Sequence, residues 1–274
     1  MSVPPPFLER YGPWAVVTGA GQGIGAAFAA ELAARGLNVL LVDRDQSALD
    51  KRSTELGATG VEVRTLVVDL TQADAPLKIL AAMAEVDVGL LINNAALSFE
   101  GPLLEQGLDA ALTQLDVNCR VPVTLVHSLL PQLAERGRGG IMLLSSLSAM
   151  RGAPLVAGYA ATKAWNLILA ESLWEEMREQ GVDVMAVMPG STRTPGWLGA
   201  RPQASLGTSY VMEPTDVARE SLDALGTRPS IIPGQPNRES EAFMESLDRV
   251  EAIKIMGDAM RAMFPPVRES DPSV

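Results

Sequence analysis

The 274-residue sequence predicts an α/β fold, a single doubly wound domain built on a seven-stranded parallel sheet. Three observations predict it. Short apolar runs alternate with helical stretches along nearly the whole chain, as in repeated βαβ units. Those runs are apolar almost throughout, as strands covered on both faces must be. Four glycines, Gly19, Gly21, Gly23 and Gly25, crowd the junction of the first strand and the first helix. Glycine inside an element costs roughly 0.5–1 kcal/mol relative to alanine, so bare backbone must be needed there.

The elements follow in order. Residues 1–13 read as an irregular arm, with Pro4, Pro5 and Pro6 in a row. The first strand is 14–18, and an alanine-rich helix over 24–36 ends at Gly36. A strand at 37–43 leads to a polar helix at 45–57 that ends at Gly57, then a strand at 61–69 and a helix at 75–86. After a strand at 88–93, helical character covers about 103–136, with a break near Leu115–Asn118. A strand at 140–146, a long helix at 158–181 and a strand at 182–188 continue the rhythm. A helix at 214–226 and a short strand at 229–233 close it, and 235–274 forms a C-terminal helical extension. No linker or repeat interrupts the series, so 1–274 is expected to be one domain.

Composition bounds the function. Hydrophobic residues make up 47% of the chain, enough for a sizeable core. Aromatic residues are 4%, too few for a base-stacking platform. The net charge of −11 opposes a phosphate backbone and an anionic membrane surface, so neither nucleic acid nor membrane is an expected partner. One cysteine, Cys119, excludes an internal disulfide; with one histidine, His127, it cannot build a structural zinc site, and no metal is expected. The start of the chain lacks a charged segment followed by an apolar one, and no apolar run reaches about 18 residues, so the expected address is the cytoplasm.

A phosphate lying on a helix N-terminus needs exposed N–H groups with no side chain in the way. The four glycines supply that, and they permit the positive φ of a tight turn. Their spacing reads two ways. Gly21-Gln22-Gly23-Ile24-Gly25-Ala26 fits the dinucleotide pattern G-x-G-x-x-G/A. Thr18 to Gly25 fits T-G-x-x-x-G-I-G. Asp43, at the end of the second strand, is in position to accept hydrogen bonds from an adenosine ribose, which makes the domain Rossmann-type.

The second form is similar to the opening of the short-chain dehydrogenases/reductases, and over about residues 12–234 the chain resembles that family. Further motifs stand in the family's order. Asp69-Leu70 ends the third strand, where members contact the adenine. Asn93-Asn94-Ala95-Ala96 follows the fourth strand, where members have N-N-A-G; Ala96 departs from the pattern and leaves the local backbone path open. Asn118 matches the family's helix asparagine, Ser145-Ser146 ends the fifth strand, and Tyr159 to Lys163 matches Y-x-x-x-K. Pro189-Gly190 follows the sixth strand, with Thr192 and Thr194 where members hold the nicotinamide carboxamide. The resemblance thus implies a dinucleotide site formed by Gly19, Gly21, Gln22, Gly23, Ile24, Asp43, Arg44, Asp69, Leu70, Asn94, Ala95, Tyr159, Lys163, Pro189, Gly190, Thr192 and Thr194.

Tyrosine with its ordinary pKa of about 10 is a poor proton acceptor at neutral pH. Tyr159 and Lys163 are four apart in a helix, hence on one face. The ammonium is expected to favour the phenolate and lower the tyrosine's pKa, so Tyr159 is the candidate general acid/base and Lys163 its tuner. By the resemblance, Lys163 also holds the nicotinamide ribose, Ser146 is the catalytic serine that bonds the substrate oxygen, and Asn118 holds a water behind Lys163. Ser145 is the neighbour that could be mistaken for Ser146. Cys119 and His127 lie eight apart, more than two helical turns, so a Cys/His nucleophile pair is not expected. Cys119 reads as a small buried hydrophobe and His127 as a packing residue.

Asp43 would repel a 2′-phosphate and Gln22 stands where NADP-dependent relatives carry Lys or Arg, which favours NAD. Arg44 could pair with that phosphate or stack on the adenine, and NADP is the alternative. The segment 195–212 is expected to cover the substrate with Trp197, Leu198, Leu206, Tyr210, Val211 and Met212, joined by Leu97, Phe99, Met150 and Leu155 from neighbouring loops. These suggest an apolar pocket for a fairly hydrophobic secondary alcohol or ketone, with ordinary lid packing as the competing account. In the tail, Phe243, Leu247, Val250, Ile253, Met256, Met260 and Phe264 recur at helical spacing, a face expected to pack on the body or on a partner in a homodimer or homotetramer. The expected function is a nicotinamide-dependent alcohol dehydrogenase or ketone reductase. A dinucleotide sensor without turnover is the alternative, and a lyase or epimerase using the same cofactor is a third reading.

Overall fold

The computed structural model describes residues 6–199 and 210–264. Seven parallel strands form one sheet in the order β3-β2-β1-β4-β5-β6-β7. They are β1 Trp14–Thr18, β2 Asn38–Asp43, β3 Val63–Val67, β4 Val88–Asn93, β5 Gly140–Leu144, β6 Asp183–Val187 and β7 Ser230–Ile231. From β1 the chain builds outward to β3, then crosses to β4 on the other side of β1 and builds outward again. The order reverses between β1 and β4, and the carboxyl ends of these strands open a crevice there.

The helices are α1 Phe7–Tyr11, α2 Gly23–Ala34, α3 Gln46–Gly57, α4 Ala75–Met83, α5 Leu108–Leu115, α6 Val121–Arg136, α7 Ala157–Glu176, α8 Pro195–Gly199, α9 Pro214–Ala224, α10 Gln235–Glu245 and α11 Arg249–Met263. The pleat of β1 sends Ala15 and Val17 to one face and Trp14 and Val16 to the other. Phe28 and Leu32 of α2, Leu49 of α3 and Leu222 of α9 cover the first face. Ile79 of α4, Leu125 and Leu129 of α6 and Leu167 of α7 cover the second. Each such fully buried side chain contributes about 1.5–3 kcal/mol, which is why central strands can be apolar on both sides. The edge strand β3 is the exception, with Arg64, Thr65 and Val67 exposed.

Three local expectations change. The arm is not irregular throughout: Pro6 precedes the short helix α1, whose Arg10 and Tyr11 both bond Asp183 of β6. The helical stretch after β4 is an isolated 3-10 turn at Leu103–Glu105, then α5 and α6 joined by a π-helical turn at Asp116–Arg120, where the break was expected. The tail is two helices, because the Asp248 carboxylate accepts from the Val250 N–H and caps α11 afresh. α10 buries Asn237, Glu241 and Met244, which leaves Phe243 in solvent; after the restart Val250 also faces solvent while Met256, Met260 and Phe264 pack inward.

Candidate active site

At the carboxyl ends of β1, β2 and β4 lies a groove of about 330 Å³. Gly19, Gln22, Gly23 and Ile24 form one wall, Asp43 and Arg44 the far end, and Asp69, Leu70, Asn94 and Ala95 the other wall. Thr194 closes over it. The glycines have distinct tasks. Gly19 and Gly23 take positive φ, +67° and +60°, and a Cβ on Gly23 would lie 3.0 Å from Cγ2 of Thr194. A Cβ on Gly25 would meet the Gly19 carbonyl at 2.1 Å. Gly21 is buried and away from the groove; its N–H donates to Oδ2 of Asp43 over 2.9 Å. No side chain caps the start of α2, so its first N–H groups are left for an anion. Bare backbone, a helix N-terminus and a carboxylate at the ribose end fit a dinucleotide.

Bracing residues hold this geometry. Oγ1 of Thr18 accepts from the backbone N–H of both Asn94 (3.0 Å) and Ala95 (3.1 Å). The Asn94 side chain donates to the carbonyls of Thr18 and Gly19, clamping the glycine turn to β4. Leu155 is the one non-glycine residue with positive φ among the described residues, so Ala96 follows an ordinary backbone path and needs no glycine. Asp69 accepts from the N–H and hydroxyl of Thr71, which together hold its carboxyl below the usual range, with the charge of Arg44 adding a smaller pull.

The reacting end is assembled from β5, β6 and α7. Ser146 caps a 3-10 turn at Leu147–Ala149, and the Leu147 N–H donates to the carbonyl of Pro189, joining this turn to the one after β6. Oγ of Ser146 accepts from both the N–H (3.2 Å) and the hydroxyl (3.0 Å) of Ser148, which leaves its own proton to donate. Ser145 is buried and donates to the Lys163 carbonyl, a structural task that separates it from Ser146. Beyond Gly190, the Thr192 hydroxyl bonds back to the Gly190 carbonyl, whereas Oγ1 of Thr194 accepts the Trp197 N–H at the start of α8. Neither Pro189, Gly190 nor Thr192 lines the groove.

Tyr159 and Lys163 do share a face of α7, with Nζ 5.6 Å from the ring centre. The expected lowering of the Tyr159 pKa is overturned. Burial pushes Tyr159 up to about 12; the hydrogen bond with Ser146 opposes this, and the charge of Glu100 adds to it. Burial also pulls Lys163 down to about 8. Its Nζ donates to the Leu144 carbonyl over 2.6 Å, so desolvation outweighs the ammonium's pull on the phenol.

Asn118 sits at the centre of the π-helical turn and is buried. Its side chain accepts from the Leu97 N–H (2.8 Å) and donates to the Leu97 carbonyl (2.8 Å) and to Oγ1 of Thr162 (3.0 Å). Its carbonyl accepts from the amide of Asn166 over 2.9 Å. Gln114, one turn earlier, also donates to the Leu97 carbonyl. Gln114, Thr162 and Asn166 carried no signal in the sequence, since their partners lie far along the chain. His127 is exposed beside Val123 on the outer face of α6, so it is not a packing residue. Cys119 is half-buried instead of buried, and burial pushes its thiol up.

Of the expected substrate cover, Leu206 lies outside the described residues. Met212 is not part of a lid: it is buried in the core, and its backbone pairs with Thr192. Leu198 and Tyr210 are exposed. The tail reaches this end of the site: Met256, Met260 and Phe264 pack against Ala153, Val156 and Ala160, the same cluster on which Tyr159 packs.

Comparison with known proteins identifies the family. The short chain dehydrogenase family model matches residues 13–204. The chain is 34% identical over 252 residues to the 7beta-hydroxysteroid dehydrogenase of Clostridium sardiniense, covering 92% of this chain and 97% of that one. A solved 7beta-hydroxysteroid dehydrogenase superposes with a TM-score of 0.87 at 28% identity, over 92% of this chain and 99% of the other. A short-chain dehydrogenase from Sphingobium yanoikuyae, solved with NADPH, superposes with a TM-score of 0.75 at 28% identity, over 86% and 97%. The chain therefore belongs to the short-chain dehydrogenase family, as an oxidoreductase that uses a nicotinamide dinucleotide to interconvert a secondary alcohol and its ketone.

Proposed function

We propose that the substrate is a fairly hydrophobic secondary alcohol or ketone and that Tyr159 exchanges the proton at its oxygen. The observation that carries this reading is the convergence of Ser146, Tyr159 and Lys163, with apolar side chains of α11 packed on the same Ala153, Val156 and Ala160 cluster as Tyr159. When bound, the nicotinamide supplies or takes the hydride. Ser146, whose hydroxyl oxygen is occupied by Ser148, turns its proton from the phenol to the substrate oxygen and orients it. Tyr159, protonated in the unliganded site, gives its proton in the direction of ketone reduction. Lys163 holds a positive charge near the ring and keeps the phenolate accessible once the site fills. Asn118 acts through its backbone position, since its side chain is committed to Leu97 and Thr162.

NAD is the preferred dinucleotide in this reading. The Asp43 carboxylate is pinned at the ribose end by Gly21 and opposes a dianionic phosphate, while Asp69 draws on the charge of Arg44. The similarity to a hydroxysteroid dehydrogenase supports an apolar substrate. A homodimer or homotetramer is supported by α5, which leaves Leu108, Leu112 and Leu115 exposed at i, i+4 and i+7, and by exposed Ile168 on α7. Among the described residues no helix is long and apolar enough to cross a membrane.

The test is a panel of bulky and small ketones assayed with NADH and with NADPH. Turnover of bulky apolar ketones is expected. Reaction confined to small, highly charged alcohols would overturn the substrate class, and tight dinucleotide binding with no turnover on any substrate would favour the sensor.

A further inference from the structure

Between the turn that carries Ser146 and the helix that carries Tyr159 runs the loop 150–156. It contains Leu155 at a φ of +67°, a left-handed conformation that a leucine holds only when its surroundings over-determine it. One restraint is the Gly101 N–H, which donates to the Leu155 carbonyl over 2.8 Å. The other is electrostatic. Arg151 meets Glu241 of α10 in a two-pronged contact, Nη1 to Oε2 at 2.9 Å and Nη2 to Oε1, with the two side chains only 6% and 5% exposed.

An ion pair this deeply buried is poor evidence of added stability, because the cost of removing both charges from water rivals their attraction. What it does supply is one position. On the same face of α10, one turn earlier, the amide of Asn237 donates to the Pro233 carbonyl over 2.8 Å, and its oxygen stands where a Cβ on Gly190 would be 2.5 Å away. Thus α10 touches both the turn after β6 and the loop before Tyr159. It delivers α11 so that Met256, Met260 and Phe264 pack on Ala153, Val156 and Ala160, the cluster on which Tyr159 also packs.

We propose that Arg151 and Glu241 are a pair of positioning residues: their contact seats α10 and α11 on the catalytic loop, which fixes the spacing of Ser146 and Tyr159 and sets α11 as the wall for the non-reacting part of the substrate. The proposal rests on the function proposed above, and its test separates the two.

The experiment compares wild type with the apolar replacement Arg151→Met/Glu241→Leu and with the conservative Glu241→Asp, which keeps the charge but shortens the reach. The double variant is expected to melt at or above the wild-type temperature and to bind NADH within about threefold of wild type, because the dinucleotide groove lies elsewhere. For a 7-oxosteroid probe, kcat is expected to fall about tenfold or more and KM to rise about fivefold, the scale of loss that a small misplacement of reacting groups produces. Glu241→Asp is expected to lie between the two. A merely structural pair would move neither constant once melting temperature and NADH affinity are matched.

Amide exchange over 150–160 gives a readout that needs no turnover and is expected to speed up about tenfold or more in the double variant. Wild-type kinetics in a folded double variant, or unchanged exchange over that segment, would overturn the proposal. Should the double variant not fold, wild-type constants and exchange in Glu241→Asp would do so. Absence of turnover by wild type on the whole ketone panel would instead sink the proposed function, and the exchange result would still decide the role of the pair.

Discussion

The Nζ of Lys163 sits 5.6 Å from the centre of the Tyr159 ring and donates to the Leu144 carbonyl at the end of β5. The ammonium is thus anchored to the sheet, not to the phenol. Burial dominates both groups and drives them toward their neutral forms, Tyr159 to about 12 and Lys163 to about 8. A phenol in that state stays protonated at neutral pH: it has a proton to give, as a weaker acid than a free tyrosine, and cannot accept one. Alcohol oxidation needs further positive charge in the site, which an oxidised nicotinamide carries.

Removing the phenolic oxygen should abolish most of the chemistry and little of the binding. Tyr159→Phe is expected to lower kcat by about 10²–10⁴-fold, the range for a lost general acid. NADH titration by fluorescence should stay within about threefold of wild type. Comparable loss of both would mean that Tyr159 holds the cofactor and does not serve the proton.

Lys163 makes stability depend on pH in a calculable direction. The folded chain gives up this proton near 8, the unfolded chain near the ordinary 10.5, so between those values the unfolded state binds more protons and stability climbs with pH. Lys163→Met deletes the penalty of the buried charge. Urea unfolding at pH about 7 should show the variant more stable by on the order of 1–3 kcal/mol, an advantage that shrinks by pH about 10. Tyr159 does not interfere, since its raised value costs stability only as pH climbs from about 10 toward 12. A constant difference across the range would refute the buried-charge account.

The glycine turn should be intolerant where the backbone is left-handed and the space is taken. Gly23→Ala combines a φ of +60° with a Cβ 3.0 Å from Cγ2 of Thr194. It is expected to cost about 1–2 kcal/mol in unfolding free energy and to weaken dinucleotide binding about tenfold or more. Gly107→Ala, where nothing lies within 4 Å and φ is −67°, is the control and should change stability by no more than about 0.5 kcal/mol.

Cofactor preference should respond to Asp43. Asp43→Ser removes the charge that opposes a 2′-phosphate and leaves Arg44 to pair with it, so the NADPH:NADH ratio of kcat/KM should rise about tenfold or more. A modest loss of stability, about 1 kcal/mol, is expected alongside, because the carboxylate accepts from Gly21 and from Asp45. An unchanged ratio would move the discrimination to Gln22 or Arg44.

Self-association should be sensitive to the apolar face of α5 and α7. Leu115→Glu and Ile168→Glu place charges on exposed positions and should leave melting within about 1 kcal/mol of wild type while lowering the mass measured by light scattering. Wild type running as a monomer would refute the assembly outright.

Much of this site was legible because its parts are local. The turn needs four glycines within seven residues, and a shared helix face needs two residues four apart; spacing alone carries both. The direction of the Tyr159 and Lys163 pKa shifts was not legible, since spacing reports nearness but not burial. Equally hidden were Asn118–Thr162, 44 residues apart, and Arg151–Glu241, 90 apart, because nothing in either segment names its partner. In the tail, helical periodicity was real, yet one capping aspartate, Asp248, divides it into two helices with separate buried faces, and Phe243 of α10 and Val250 of α11 both lie outside them.

The hydroxyl of Thr18 receives two backbone N–H groups at the one place where the chain leaves β1 and β4 together. Serine could do the same, whereas valine, its equal in shape, would strand both donors inside the protein. At this strand end the molecule is therefore choosy about an atom and indifferent to a methyl group, so drift at the heart of the coenzyme cleft is confined to two of the twenty amino acids.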